Sequence, residues 1–262
     1  MKPHREQART QRKAVEETQA VAARRMRLTT LGIVVAVVVA GIVVVLIASG
    51  GSDAKKIAPE STEARAATSQ ITALLGGVPQ NGNVLGQPTA PVTLQYFGDL
   101  ECPVCGSFTI GALPWIIQQW VRGGELKVEY RSLETATREP EVFKTQQVAA
   151  LAAGQQNKMW NFVETFYHEQ QEEDTGYVSE NYIQGIARQV PGLNLSQWMS
   201  DRNDPALANL LSSDAQAANN QGLNGTPAFL IGRSGGATSR LEPSSFTEPA
   251  PFDEAIEKLV KS

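Results

Sequence analysis

Cysteine is nearly absent from this chain of 262 residues: there are two, Cys102 and Cys105, three positions apart. Histidine is equally scarce, with only His4 and His168, and aromatic residues make up 6%. No internal repeat recurs along the chain, which excludes a solenoid or array. Charge is missing altogether from residues 28–48, "LTTLGIVVAVVVAGIVVVLIA". The shortage of soft ligands argues against a structural zinc site, which takes about four Cys or His side chains. His4 lies before the uncharged run and His168 far beyond the cysteines, so no second ligand pair is at hand.

The uncharged run divides the charge of the molecule. Residues 1–27 carry eight Lys/Arg against three Glu, while the remainder carries a net −9. An acidic body is repelled by phosphates, which excludes nucleic acid as its partner. As a helix the run spans roughly 32 Å, matching a hydrocarbon core of ~30 Å. A cleaved signal peptide is the competing reading, and "IASGGSDA" offers small residues near Ala48, but such peptides have apolar regions of only ~7–15 residues. Arg24, Arg25 and Arg27 precede the run and a Ser-Gly-Gly-Ser-Asp stretch follows it. The expectation is one transmembrane helix over 28–48, with a cytoplasmic basic segment over 1–27 and the rest outside the cell membrane. Residues 49–70, polar and without aromatics, read as a linker, partly helical near 61–70.

Beyond the linker the pattern is mixed. "PVTLQYF" has the β-branched and aromatic content of a buried strand, and "LKVEYRSL" reads as a second. Between them residues 102–122 follow helical spacing, with a kink expected at Pro114 and a stop at Gly123-Gly124. Residues 140–222 read as successive amphipathic helices. "TPAFLI" and "TSRLEP" return to strand, and "PAPFDEAIEKLV" closes as a helix. This order predicts an α/β domain over 71–262 with an all-helical insertion over about 138–222.

Against that frame the two cysteines acquire a position. A strand ends at Gly98-Asp99 and a helix opens at "CPVC", which sets Cys102 at a helix N-terminus. There the free N–H groups and the positive dipole end favour a thiolate. Pro103 suits the first helical position, where no N–H partner is needed. A structural disulfide closing so short a loop would stabilise little. Redox exchange remains, with Cys102 exposed and activated and Cys105, one turn further and more buried, placed to attack a mixed disulfide formed at Cys102. Far along the chain, Thr226-Pro227 in "GTPAFLI" reads either as a strand-leading proline or as a cis-proline loop facing the dithiol. Asp99 and Glu101 read as solvated surface acids, His168 as a surface or packed histidine, and Trp115, Trp120, Trp160, Phe162 and Phe166 as core.

"FGDLECPVCGSF", "MWNFVETFYHEQ" and "GLNGTPAFLIG" together resemble DsbA-like thiol:disulfide oxidoreductases, most nearly the membrane-anchored members of Gram-positive and actinobacterial type. The resemblance covers roughly residues 71–262. It implies a thioredoxin-like fold with an inserted helical domain, Cys102 as nucleophile, Cys105 as resolving thiol, and Pro227 as the cis-proline after Thr226. It implies no cofactor or metal, exported proteins with free thiols as substrates, and reoxidation by a quinone-linked membrane protein of DsbB or VKOR type. Val104 stands where the best-known oxidases of this family carry histidine. Loss of that cation would make the disulfide less oxidising, so a disulfide isomerase or reductase kept reduced by a membrane donor is the alternative reading. A redox-independent peptide-binding chaperone is the reading from another class.

Overall fold

A computed structural model of the chain describes residues 61–261. The expected basic segment and transmembrane helix lie outside the described residues, and among those described no helix is long and apolar enough to cross a membrane.

The centre is a six-stranded mixed sheet in the order β1-β2-β4-β3-β5-β6. Strands β1 (Gln80–Asn81) and β2 (Val84–Leu85) form a short hairpin at one edge. In the middle, β3 (Val92–Gly98) runs parallel to β4 (Leu126–Ser132) and antiparallel to β5 (Ala228–Arg233), and β6 (Thr238–Leu241) closes the other edge. The composition of β3 explains its place. Val92, Leu94 and Tyr96 enter the main core while Phe97 points to the opposite face, into a small cluster with Ala218, Leu223 and Leu230. A strand buried on both faces belongs at the centre of a covered sheet. In β4, Leu126, Val128 and Tyr130 are buried while Lys127, Glu129 and Arg131 are half-exposed, the alternation of period two.

The part of the linker read as helical extends further than expected. Residues 62–75 form helix α1 (Thr62–Leu75), capped by the Ser61 hydroxyl, which accepts from the Ala64 N–H at 3.0 Å. Ala64, Ile71 and Leu75 bury one stripe of it. The Arg122 guanidinium donates to the carbonyls of Ala73, Leu74 and Gly76, satisfying its C-terminal end. The helical part expected near 61–70 is present and runs on to Leu75, with a buried apolar stripe of three residues.

The helix expected over 102–122, with Pro114 kinking it, is interrupted three residues ahead of that proline. It consists of α2 (Pro103–Ile110), α3 (Ala112–Ile116) and a π-helical turn over Ile117–Val121, with Gly111 at the break. A proline ring clashes with the carbonyl one turn earlier, so the interruption falls ahead of Pro114. A Cβ at Gly111 would stand 2.7 Å from the Ser107 carbonyl oxygen and 2.9 Å from Thr247, so only glycine fits there. The π turn shifts the phase, and Ile116, Ile117 and Val121 take the core. Trp115, expected inside, is therefore 49% exposed, and Trp120 is partly buried. Both indoles donate to one carboxylate, Asp253 on the closing helix α9 (Ala250–Val260), at 2.8 and 2.7 Å.

Between β4 and β5 come α4 (Pro140–Gly154), α5 (Met159–His168), α6 (Glu180–Gln189), α7 (Leu195–Asp201) and α8 (Pro205–Asn220). Trp160, Phe162 and Phe166 are core residues of this block, as their helical spacing predicts. Glu164 on the same helix is 1% exposed, with Oε1 unpartnered, and burial pushes its pKa up to about 8. In the unfolded chain Glu164 ionises with an ordinary carboxyl pKa, so this group costs stability progressively as pH rises from about 4.5 to 8. Glu164→Gln should remove that slope and stabilise the fold at neutral pH by a few kcal/mol. Urea melts at pH 5 and pH 8 check this; an equal response of variant and wild type to pH would overturn it.

Candidate active site

The chain leaves β3 through Gly98, where a Cβ would stand 2.9 Å from the Tyr130 ring. Four residues later Cys102 caps α2 in an extended conformation (φ −70°, ψ 117°), with Pro103 opening the first turn. Its carbonyl accepts the Gly106 N–H at 3.1 Å, and its sulfur accepts the Cys105 N–H at 3.3 Å. Gly106 is a close approach: a Cβ would lie 2.6 Å from Gln170 Oε1. The Gln170 amide nitrogen bridges the Leu100 and Cys102 carbonyls at 2.8 and 3.1 Å, tying the helical insertion to the dithiol loop.

The exposure expected of Cys102 is corrected. Only 4% of it is open to solvent, because the loop before β5 lies across it and the Cys102 thiol donates to the Thr226 carbonyl at 3.4 Å. Pro103 and Val104 are the exposed members of the motif. The Thr226–Pro227 peptide bond is cis. The structure thus brings Cys102, Cys105, Thr226 and Pro227, separated by up to 125 positions, to one place.

The two thiols titrate in opposite directions. The Cys102 pKa falls to about 6, chiefly through a hydrogen bond from the Cys105 thiol. Desolvation opposes the fall, and the Thr226 side chain and the N–H groups of Cys105 and Val104 add to it. Cys105 is fully buried, and desolvation holds its pKa well above the ordinary thiol value. Beneath it the Tyr96 hydroxyl donates to the Tyr167 hydroxyl at 3.2 Å, and Tyr167 donates to the Asp99 carbonyl at 3.0 Å. An ionised sulfur beneath the exposed Pro103-Val104 edge, backed by a sulfur kept neutral, can accept and then resolve a mixed disulfide.

Asp99 and Glu101 are not solvated acids: they are 0% and 6% exposed. Burial raises the Glu101 pKa, opposed by a hydrogen bond from Thr137. Asp99 Oδ2 accepts three consecutive N–H groups, from Thr135, Ala136 and Thr137, at 2.9 to 3.0 Å. Its Oδ1 accepts the Glu101 N–H at 3.1 Å and the Thr137 hydroxyl at 2.6 Å. Apart from Glu101, the partners lie 36 to 38 residues away, on the loop after β4, so no local pattern could have announced them. His168 is half-buried, and burial lowers its pKa.

Residues 79–241 match the family model described as Thioredoxin. The chain belongs to the thioredoxin family. A probable disulfide bond formation protein D of Bacillus cereus is 22% identical over 154 residues, covering 56% of this chain and 68% of the relative. The crystal structure of oxidised BdbD from Bacillus subtilis superposes with a TM-score of 0.59 at 19% identity, covering 71% of this chain and 98% of that one. A thioredoxin-like oxidoreductase from Silicibacter pomeroyi does so with a TM-score of 0.54 at 26% identity, covering 68% and 92%. In this thioredoxin-family chain a cavity of about 670 Å³ among Glu141, Met199 and Arg202 lies in the helical insertion and includes neither cysteine. A groove of about 270 Å³, lined by Thr226, Pro227, Phe229, Leu241 and Phe246, runs along the loop whose Thr226 carbonyl contacts Cys102, although neither cysteine lines it.

Proposed function

We propose that this thiol–disulfide oxidoreductase is a DsbA-type oxidase, donating a Cys102–Cys105 disulfide to exported proteins on the outer side of the cell membrane. The observation that carries this reading is the split between the thiols: about 6 for Cys102, well above the ordinary value for Cys105. A stabilised Cys102 thiolate favours the reduced enzyme, and a dithiol stable in its reduced form is an oxidant.

In the forward reaction a substrate thiolate attacks the Cys102 sulfur and the Cys102–Cys105 bond breaks. Cys105 leaves with the electron pair and, given its high pKa, takes a proton. A second substrate thiolate then attacks the substrate's own sulfur in the mixed disulfide, and Cys102 leaves as its stable thiolate. The substrate has lost two electrons and gained a disulfide. Reoxidation of the dithiol falls to a quinone-linked membrane protein of DsbB or VKOR type. The groove beside Thr226 and Pro227 supports docking of an extended chain next to the sulfur being attacked.

Residues 28–48 are proposed as the anchor and residues 1–27 as cytoplasmic, on the arginines before the uncharged run. Protease added to spheroplasts should degrade the domain, and the intact protein should sediment with membranes. A soluble form beginning after residue 48 would refute the anchor. Trapping thiols in living cells tests the direction of electron flow. An oxidase rests mainly oxidised, whereas a chain found mainly reduced is an isomerase or reductase. Substrate binding that survives Cys102→Ala with no loss of cellular function would point to the chaperone.

A further inference from the structure

We propose that Gln170, which follows α5 in the helical insertion, is a positioning residue for the dithiol: its side-chain amide clamps the carbonyls of Leu100 and Cys102, and glycine stands at 106 to make room for it. This rests on Cys102 being the working nucleophile, as the proposed function requires.

A glutamine amide offers two protons on its nitrogen and only acceptor sites on its oxygen. The Gln170 nitrogen lies 2.8 Å from the Leu100 carbonyl oxygen and 3.1 Å from that of Cys102. Two carbonyls can be met only by the nitrogen, so both of its protons are committed to the dithiol loop and Oε1 is turned away from it. Oε1 faces Gly106, where a Cβ would stand 2.6 Å from it. The next atoms, Gln170 Cδ at 3.5 Å and Tyr167 Cδ1 at 3.6 Å, are at ordinary contact distance. Gly106 has no positive φ, and inside a helix alanine is the better former. What excludes a larger residue at 106 is therefore Gln170, not the backbone.

One helix end holds three carbonyls of the loop. Tyr167, in the last turn of α5, donates to the Asp99 carbonyl at 3.0 Å, and Gln170, three residues on, takes those of Leu100 and Cys102. The Cys102 carbonyl also accepts the Gly106 N–H at 3.1 Å, which closes the first turn of α2, and the Cys102 sulfur accepts the Cys105 N–H at 3.3 Å. Backbone and sulfur of the nucleophile are thus fixed on the same turn. A carbonyl oxygen carries partial negative charge, and here two of them lie next to a residue whose sulfur must itself become negative. The Gln170 protons offset that charge, which favours the thiolate. Without them the loop keeps its carbonyl dipoles, loses the counter-charge, and lets Cys102 drift from the Cys105 N–H. Release of Cys102 from each mixed disulfide would slow accordingly.

Thiolate absorbance of the full-length reduced protein against pH reports Cys102, because Cys105 stays protonated to higher pH. Gln170→Leu should lower the Cys102 acid dissociation constant about 3- to 10-fold. Gln170→Lys, whose ammonium donates to the same carbonyls and adds positive charge, should leave Cys102 at least as acidic as in the wild type. Gly106→Ala, whose methyl displaces the amide, should lower the constant about as much as Gln170→Leu, and by less than about twofold in a Gln170→Ala background. An unchanged constant in Gln170→Leu, Gln170→Lys as defective as Gln170→Leu, or a Gly106→Ala effect undiminished in the Gln170→Ala background would each overturn the proposal. Loosened packing alone would give the second and third of these results. Should Gln170→Leu fail to fold, Gly106→Ala with and without Gln170→Ala decides. Failure of the wild type to oxidise reduced protein substrates would strike the proposed function alone and leave this titration result standing.

Discussion

Cys102→Ser should reduce exchange with both small and protein disulfides to the buffer background, while Cys105→Ser should keep the attack of Cys102 on those disulfides and stall at the mixed disulfide. The asymmetry follows from where the sulfurs sit. Cys102 caps α2 beneath the Thr226 loop and beside exposed Val104, and accepts from the Cys105 N–H at 3.3 Å. With a pKa of about 6 it is roughly nine-tenths thiolate at pH 7, against a few per cent for a free thiol near ~8.5. That is a ~30-fold larger nucleophile population before geometry is counted. A serine there is un-ionised and makes no disulfide. Cys105 is buried, so external disulfides cannot reach it, and its function is to release or resolve what forms at Cys102. Serine at 105 preserves the backbone N–H and offers a hydroxyl donor, leaving the Cys102 thiolate supported. Cys105→Ser should therefore accumulate covalent complexes through Cys102, visible on non-reducing gels and dissolved by reductant. Equal inactivity of the two variants, with no trapped complexes, would show that exchange does not begin at Cys102.

The second large effect is on how stability depends on pH in the two redox forms. In the reduced protein the Cys102 pKa is depressed relative to the unfolded chain. Its contribution is then absent below about pH 6, grows as pH rises, and is complete above the ordinary thiol value of ~8.5. The Cys105 pKa is raised, so above ~8.5 the unfolded chain ionises a thiol that the fold keeps neutral, and stability falls again. The oxidised protein carries neither thiol and shows neither trend. Buried carboxyls such as Glu164, with a pKa of about 8, and Asp214, at about 6, titrate in both forms. To first order they cancel in the difference. Reduced minus oxidised stability should thus climb between about pH 6 and 8.5 and turn down beyond it. Denaturant melts of both forms across that range measure it. A flat difference would mean that Cys102 is not stabilised as a thiolate, which would remove the basis for an oxidising couple.

Much of the molecule could be read before any coordinates, and particular elements show why. The strand "PVTLQYF" carries apolar residues toward both faces, and such a segment has no stable place except mid-sheet. The helix opening at "CPVC" followed from proline chemistry and an abrupt end of strand, both local signals. The spacing of Trp160, Phe162 and Phe166 placed them in a core. Local sequence also carried the pairing of Cys102 with Cys105, because one helical turn is a fixed distance. The failures are equally specific. Trp115 faces outward because the break at Gly111 and the π turn after it re-phase the helix, and a phase shift of this kind is written in packing against Thr247 and the sheet.

What the sequence by itself determined was the element order, the dithiol and its polarity, because each depends on residues within a few positions of one another. Only the tertiary structure decided what surrounds the dithiol. Asp99 reads as one more surface acid until the loop carrying Thr135, Ala136 and Thr137 is folded against it. Thr226 reads as a loop residue until its carbonyl comes within 3.4 Å of the Cys102 sulfur, across 124 positions. A carboxylate or hydroxyl takes its role from the donors and acceptors packed around it in a water-poor site, and those partners are chosen by chain topology, not by neighbours in sequence.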